Sequence, residues 1–389
     1  MIELLAKRLI PDSGNLKDSR VRQAYGMLCG CVGIALNLLL FAGKYLAGIL
    51  SGSIAVTADA FNNLSDAGSS LVTLLGFRLA GKRPDADHPF GHGRIEYISG
   101  LIVAFLILHM GLGLLEDAID KIRNPQEVEA SALTFVILAV SILVKLYMSL
   151  YNRRCGEKID SSAMKATSMD SLSDAIATTV VLGSTLVGLF TPWQIDGWCG
   201  LLVAGFVLYA GYNAARDTIN PLLGQAPDPA FVEEVRTIVR SYPEVCGIHD
   251  LIVHDYGPGR QIVSLHAEVP ADANVLTMHD MVDNIERELT RTLGCTAVVH
   301  MDPIMVTDEE TRCLQERVRA IVRGVDERLT IHDFRAVKGP THTNLIFDVV
   351  VPVDYALSDA EVVKTIRERI SQENSQWFAV IGVDKSYVM

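Results

Sequence analysis

Four polar residues set in otherwise apolar sequence carry the most chemistry in this 389-residue chain. Asn62 and Asp66 stand four apart in SGSIAVTADAFNNLSDAGSSLVTLLGFRLA, and Asp170 and Asp174 stand four apart in AMKATSMDSLSDAIATTVVLG. On a helix, residues at i and i+4 share one face a turn apart. Two helices that each present such a pair can close four oxygen-bearing groups around one cation. A single polar residue in an apolar helix is readily satisfied by a neighbouring helix. Carboxylates there are costly, and they face a bundle interior or a wet cavity; four groups at matched spacing and similar depth favour a shared cation. Asp59 and Asn63 lie one turn away on neighbouring faces, as outer partners or entrance lining. The set contains no imidazole. Imidazole suits Zn2+, whereas carboxylate, amide carbonyl and water suit harder ions such as Mn2+. Carboxylates left together after the metal departs can also act as proton acceptors.

Two further groups have ligand character. The segment RPDADHPFGHGR carries Asp85, His88 and His92, with the histidines four apart, and Gly91 and Gly93 imply a compact turn. A solvated polar loop and a weak metal site both fit it. Near the other end, His249, His266, His279, His300 and Asp302 fall at expected strand edges or a helix start. One histidine at such a place is usually structural; five donors in one module favour metal binding.

The elements that hold these residues follow from hydropathy. Apolar residues make up 49% of the chain. They concentrate in six segments, near 24–50, 53–80, 96–120, 130–152, 162–190 and 196–219. Each has about 20 mostly apolar residues, enough to cross a hydrocarbon core of roughly 30 Å. The links 50–53, 124–129 and 191–195 lack Lys and Arg, while Arg20, Arg22, Arg78, Lys82, Arg83, Arg94, Arg153, Arg154 and Arg216 gather on the other side. The positive-inside rule makes that side cytosolic, with both termini on it. The chain does not open on a signal-peptide pattern, so the first span is expected to remain. Lys44, His109 and Lys145 lie within spans, where they can pair or snorkel.

Almost all of the net charge of −12 falls after residue 220, which argues against nucleic-acid binding. The seven cysteines form no C-x-x-C pair, consistent with a reducing compartment. After residue 220 the order helix, strand, strand, helix, strand occurs twice. GIHDLIVHDYGPGRQIVSLHAEVP from Gly247 matches TIHDFRAVKGPTHTNLIFDVVVP from Thr330. Period-2 alternation within this order implies an α+β fold of ferredoxin-like type. The expected domains are a cytosolic segment 1–23, a six-helix membrane domain 24–220, a ferredoxin-like metal-binding domain 221–306 and a second ferredoxin-like repeat 307–389. The second repeat keeps His332 and Asp384 but has Asp348, Ala360 and Gly382 at the other ligand positions, so it is expected to lack metal.

Together, the paired positions, the HPFGHGRIEY loop, IDGWCG at the sixth span and the His-rich tail resemble the cation diffusion facilitator family over residues from about 20 to 305. The resemblance implies a homodimeric exporter in the cell membrane that exchanges a cytosolic divalent metal for protons. It implies no prosthetic group, a transport site at Asn62, Asp66, Asp170 and Asp174, a loop site at Asp85, His88 and His92, and a tail site at the five donors named above. Zinc-selective members typically place His in the paired positions, so the acidic pattern here resembles the manganese branch, with Fe2+ and Zn2+ behind. A membrane-anchored metal sensor or scaffold is the alternative of a different class. The sequence has no H-E-x-x-H, nucleophile elbow or phosphate loop, which argues against an enzyme.

Overall fold

The computed structural model describes residues 2–15, 19–51, 54–124, 132–190, 195–304, 309–339 and 341–386. The expected links at 124–129 and 191–195 fall almost wholly outside the described residues, as do Gly52 and Ser53. The chain divides into two compact units. One comprises Met1–Gln225 with Asp255–Arg260, and the other Ala226–His254 with Gln261–Met389.

The first unit is helical. A short helix α1 (Ile2–Leu9) precedes six long ones: α2 (Ser19–Ser51), α3 (Ile54–Ala80), α4 (Ile95–Arg123), α5 (Ala132–Lys158), α6 (Ser162–Phe190) and α7 (Asp196–Leu222). At 1.5 Å per residue each exceeds the thickness of a bilayer core. Four of them, α2, α4, α5 and α7, are apolar enough to cross a membrane by composition as well as length. The described parts of α3 and α6 fall short, although the sequence suggested six equivalent spans. Within them α3 carries Asn62, Asn63 and Asp66, and α6 carries Lys165, Asp170 and Asp174.

Packing around these helices is inverted relative to a soluble protein. Leu39, Leu46, Phe105, Leu143, Leu150, Leu202 and Tyr209 are exposed, while Asn37, Ser69, Ser70, Thr73, Ser168 and Ser171 are buried. Leucine outside and hydroxyl inside is what a hydrocarbon solvent selects, because polar groups then find partners only within the bundle. The Thr73 and Thr167 hydroxyls meet at 2.8 Å, joining α3 to α6, and Ser168 donates to the Ser149 carbonyl at 2.9 Å, joining α6 to α5. Small residues bring α2 against α3: a Cβ at Gly30 would press on Leu74, and one at Gly33 on Ser70. His109 faces outward rather than lying in the interior.

The second unit contains two sets of elements in one order. The first is α8 (Pro229–Arg240), β1 (Gly247–Asp255), β2 (Gln261–Pro270), α9 (Val275–Leu293) and β3 (Thr296–Ile304). The second is α10 (Glu309–Val325), β4 (Thr330–Lys338), β5 (Thr343–Pro352), α11 (Asp359–Glu373) and β6 (Trp377–Ser386). Their sheets run β1-β2-β3 and β4-β5-β6, and in both the last two strands are parallel. Local chemistry explains the helix ends. Asp228 caps α8 by accepting from Ala230 N, with Pro229 in the first turn. Asn274 caps α9, which ends on Gly294 at φ 70°, and Ser358 and Glu361 form a capping box on α11. Alternate residues of β2 and β5 are buried. Val263, Leu265, Ile285 and Leu289 build one core, and Leu345, Phe347, Ile366 and Ile370 the other.

Candidate metal centres

Within the membrane unit, α3 and α6 bring their acidic residues toward α5, and Lys145 of α5 lies between them. Its Nζ donates to Asp66 Oδ2 at 2.6 Å and to Asp174 Oδ2 at 2.7 Å, and its side chain is only 4% exposed. Asp170 is buried one turn from Asp174. Asn62 is exposed, whereas its neighbour Asn63 is buried. Asp59 lies in α3, and its side chain is outside the described residues. The four sequence-predicted ligands are therefore not drawn into one set. Among the described residues, Asp66, Asp170 and Asp174 do not close to a metal-sized group. The physical reason is the ammonium, which supplies the counter-charge two largely enclosed carboxylates need. Sequence spacing could have nominated Lys145 only as an intramembrane cation, because its partners lie on other helices.

A second charged group went unrecognised in the sequence. Arg22, counted there only as a cytosolic-side basic residue, holds Glu96 through two hydrogen bonds, of 2.5 and 2.7 Å. Its remaining donors reach the Ile159 carbonyl at 2.6 Å and the Asp160 carbonyl at 3.0 Å. The planar guanidinium fork fits this bidentate geometry. One side chain thus ties the starts of α2 and α4 to the turn between α5 and α6.

The loop between α3 and α4 does gather its expected ligands. Asp85, His88 and His92 offer donor atoms all within 4.8 Å of one another. His88 Nδ1 lies 3.4 Å from Asp85 Oδ1 and His92 Nε2 3.5 Å from Asp85 Oδ2. The His88 backbone N–H donates to Asp85 Oδ1, and Gly91 turns the chain at φ 85°. The Lys82 ammonium, 2.7 Å from Asp85, lowers that carboxyl to about 2, with help from the His88 N–H, so Asp85 is an anion at neutral pH. His92 is 8% exposed, and its Nδ1 has no hydrogen-bond partner.

In the second unit, His249, His266 and Asp302 form another such group. Asp302 Oδ2 lies 2.8 Å from His266 Nδ1 and 3.1 Å from His249 Nε2, while its Oδ1 lies 3.2 Å from His300 Nε2. The parallel pairing of β2 with β3 places His266 opposite His300 and Glu268 opposite Asp302. His279 stands apart. It is on the exposed side of α9, 3.8 Å from Asp283, because the buried face of that helix belongs to Met278, Met281 and Val282. Burial pushes the Glu268 carboxyl upward, with Asp333 adding to the shift and His249 opposing it. In residues 307–389, expected to lack metal, His332, Asp348 and Asp384 also present donor atoms within 4.8 Å of one another. Asp348 offers a carboxylate oxygen where the first set has the imidazole of His266.

Sequence models of known families match parts of both units. A sequence model of the cation efflux transmembrane domain matches residues 31–223, and one of the cation efflux protein cytoplasmic domain matches residues 227–304. The two matches end before α10. An uncharacterized transporter of Methanocaldococcus jannaschii is 29% identical over 68% of this chain and 94% of its own. The manganese efflux system protein MneS of Bacillus subtilis is 29% identical over 70% of this chain and 94% of its own. The cation-efflux pump FieF of Salmonella paratyphi A is 26% identical over 75% and 98%. A transmembrane domain followed by a cytoplasmic domain is the common plan, and divalent metal is substrate rather than prosthetic group. The chain therefore belongs to the cation diffusion facilitator family, whose members are membrane transporters for metal efflux and not enzymes.

Proposed function

We propose that this protein exports Mn2+ from the cytosol in exchange for protons, as a homodimer in the cell membrane with both termini cytosolic. The carrying observation is the partly buried acid pair, Asp66 and Asp174, bound by a single ammonium. Lys145 serves as an internal stand-in for the cation. It balances the carboxylates when metal is absent and must withdraw as a divalent ion enters between α3 and α6. Asn62 and Asp170 then complete an all-oxygen set with Asp66 and Asp174, through rotation that turns Asn62 inward. Protons arriving from the far side neutralise the carboxylates, release the metal and let Lys145 return.

Mn2+ is favoured by the donor chemistry, since the set contains oxygen and no imidazole. A relative named as a manganese efflux system protein supports the same choice. Zn2+ or Fe2+ export by the same site is the alternative. Asp85, His88 and His92 fit a loading position, and His249, His266, His300 and Asp302 fit a regulatory site in the cytosolic domain. His279 remains a candidate there only if α9 is rearranged.

Proteoliposomes offered Mn2+, Fe2+, Zn2+ and Cd2+, singly and mixed, test this directly. Mn2+ flux with counter-movement of protons is expected to fall at least about 100-fold in Asp66→Ala, the loss of one charged ligand from a buried set costing about 3 kcal/mol or more. Preferred Zn2+ flux would overturn the ion assignment. Flux in Asp66→Ala equal to that of the parent would overturn the site.

A further inference from the structure

The two element sets of the second unit meet through equivalent residues. The His249 and His332 rings stack with centroids 4.1 Å apart and planes inclined by 23°. The next residue in each set crosses to the other: Asp333 Oδ1 lies 3.7 Å from His249 Nε2, and Asp250 Oδ1 lies 3.9 Å from His332 Nε2. Asp250 and Asp333 share a left-handed backbone, with φ of 48° and 52°. The strand register extends the correspondence. Asp348 pairs with Gly382 as His266 pairs with His300, and Val350 pairs with Asp384 as Glu268 pairs with Asp302. Asp384 Oδ2 is 3.0 Å from His332 Nε2, matching the 3.1 Å from Asp302 Oδ2 to His249 Nε2.

Glycine at 382 has a reason in this arrangement. A Cβ there would collide with the Asp348 carboxylate, so the glycine leaves room for Asp348 to occupy the place between the strands. His332 gives the independent observation. It is 5% exposed, and neither ring nitrogen makes a hydrogen bond. Asp384 approaches Nε2 at 3.0 Å but off the line that an N–H bond requires, while Asp250 at 3.9 Å from Nε2 and Asp333 at 3.7 Å from Nδ1 stay beyond hydrogen-bond distance. Buried polar nitrogens without hydrogen bonds are rare and call for a partner. An imidazole whose neighbouring carboxylates converge beside it, rather than on its N–H, is arranged as a co-ligand.

We propose that residues 307–389 hold a divalent transition-metal cation on His332, Asp348 and Asp384, and that this site and the His249 group form a two-cation seam between the two halves of one chain's second unit. The second clause rests on the proposed regulatory site at His249, His266 and Asp302; the first stands without it. One nitrogen and two carboxylates make the new site harder than the histidine-rich one, so it discriminates less against Mn2+ relative to Zn2+.

Full-length protein in detergent, carrying Asp66→Ala to silence the transport site, would be dialysed to equilibrium against Zn2+ and separately against Mn2+. Bound metal is then counted per chain. Asp348→Asn with Asp384→Asn should lose one cation, His266→Ala should lose one, and the combination should lose two. A loss with His266→Ala alone leaves only the first site and overturns the proposal, as does an unchanged count in every variant. Gly382→Ala guards against misfolding, since it removes no ligand and crowds only Asp348. It should weaken the second site about 10–100-fold, the usual effect of disturbing a ligand's surroundings, and leave the His266-dependent cation in place. Full affinity in Gly382→Ala would also count against the site. Metal-free Asp348→Asn/Asp384→Asn is expected to melt no lower than its parent, because it relieves like-charge crowding, and to show a smaller cation-induced rise in melting temperature.

Discussion

Lys145→Met is expected to destabilise the metal-free protein by about 3–5 kcal/mol, the range for removing one partner from a buried ionic group. Lys145 is almost fully enclosed and donates to carboxylates on two other helices, 79 and 29 positions away in sequence. Methionine keeps the length of the stem and removes the charge, so the loss reports electrostatics more than packing. The stranded carboxylates, Asp66 and Asp174, would then have no cation within bonding distance through this side chain. Two consequences separate this account from a general packing role. Asp66→Asn added to Lys145→Met should recover part of the stability, since neighbours in one ionic network are not additive. Added Mn2+ should raise the melting temperature of Lys145→Met by more than that of the parent, because the metal no longer competes with an ammonium. Thermal unfolding in detergent, with and without Mn2+, reads both. Unchanged metal-free stability in Lys145→Met would show that the ammonium does not hold the acid pair.

The second large effect lies at the other end of the bundle. Glu96→Ala should cost about 3–5 kcal/mol, again because a largely enclosed guanidinium is left without its carboxylate. Glu96 is 2% exposed at its side chain and Arg22 11%, so solvent can do little to replace the pair. Arg22→Ala should cost a similar amount and also strand the Ile159 and Asp160 carbonyls. The double variant should cost clearly less than the sum of the single ones, as contacting charges in a double-mutant cycle do. Arg22→Lys is not a rescue, since an ammonium cannot make the two-pronged contact and reach both carbonyls. The apparent melting temperature of the four proteins tests this, and additive losses would show that the pair acts independently. Because Arg22 joins α2, α4 and the α5–α6 turn, loss of the pair should also slow metal flux in vesicles.

Much of the architecture could be read from residue order. Hydropathy marked the six long helices, since a bilayer core sets their minimum length. The repeated Ile-His-Asp triplet and period-2 alternation marked the two element sets of the second unit. Spacing at i and i+4 put Asp170 and Asp174 on one face of α6, a property of any helix. Loop proximity was equally legible: Asp85, His88 and His92 lie within eight residues, so a short turn suffices to gather them.

Tertiary structure decided the rest, because sequence spacing fixes which residues share a face and not where that face turns or what it meets. Rotation of α3 exposes Asn62 and buries Asn63, one position on. Packing of α5 against α6 brings Lys145 to the acid pair, so a residue that hydropathy treated as incidental balances two of the three carboxylates in this site. Pairing of β5 with β6 sets Asp348 over Gly382, and stacking of His249 on His332 brings imidazoles 83 positions apart into one cluster. These outcomes depend on contacts between distant segments, where burial makes an unpaired charge or an unbonded nitrogen costly. That cost selects the partners, and sequence order does not record it.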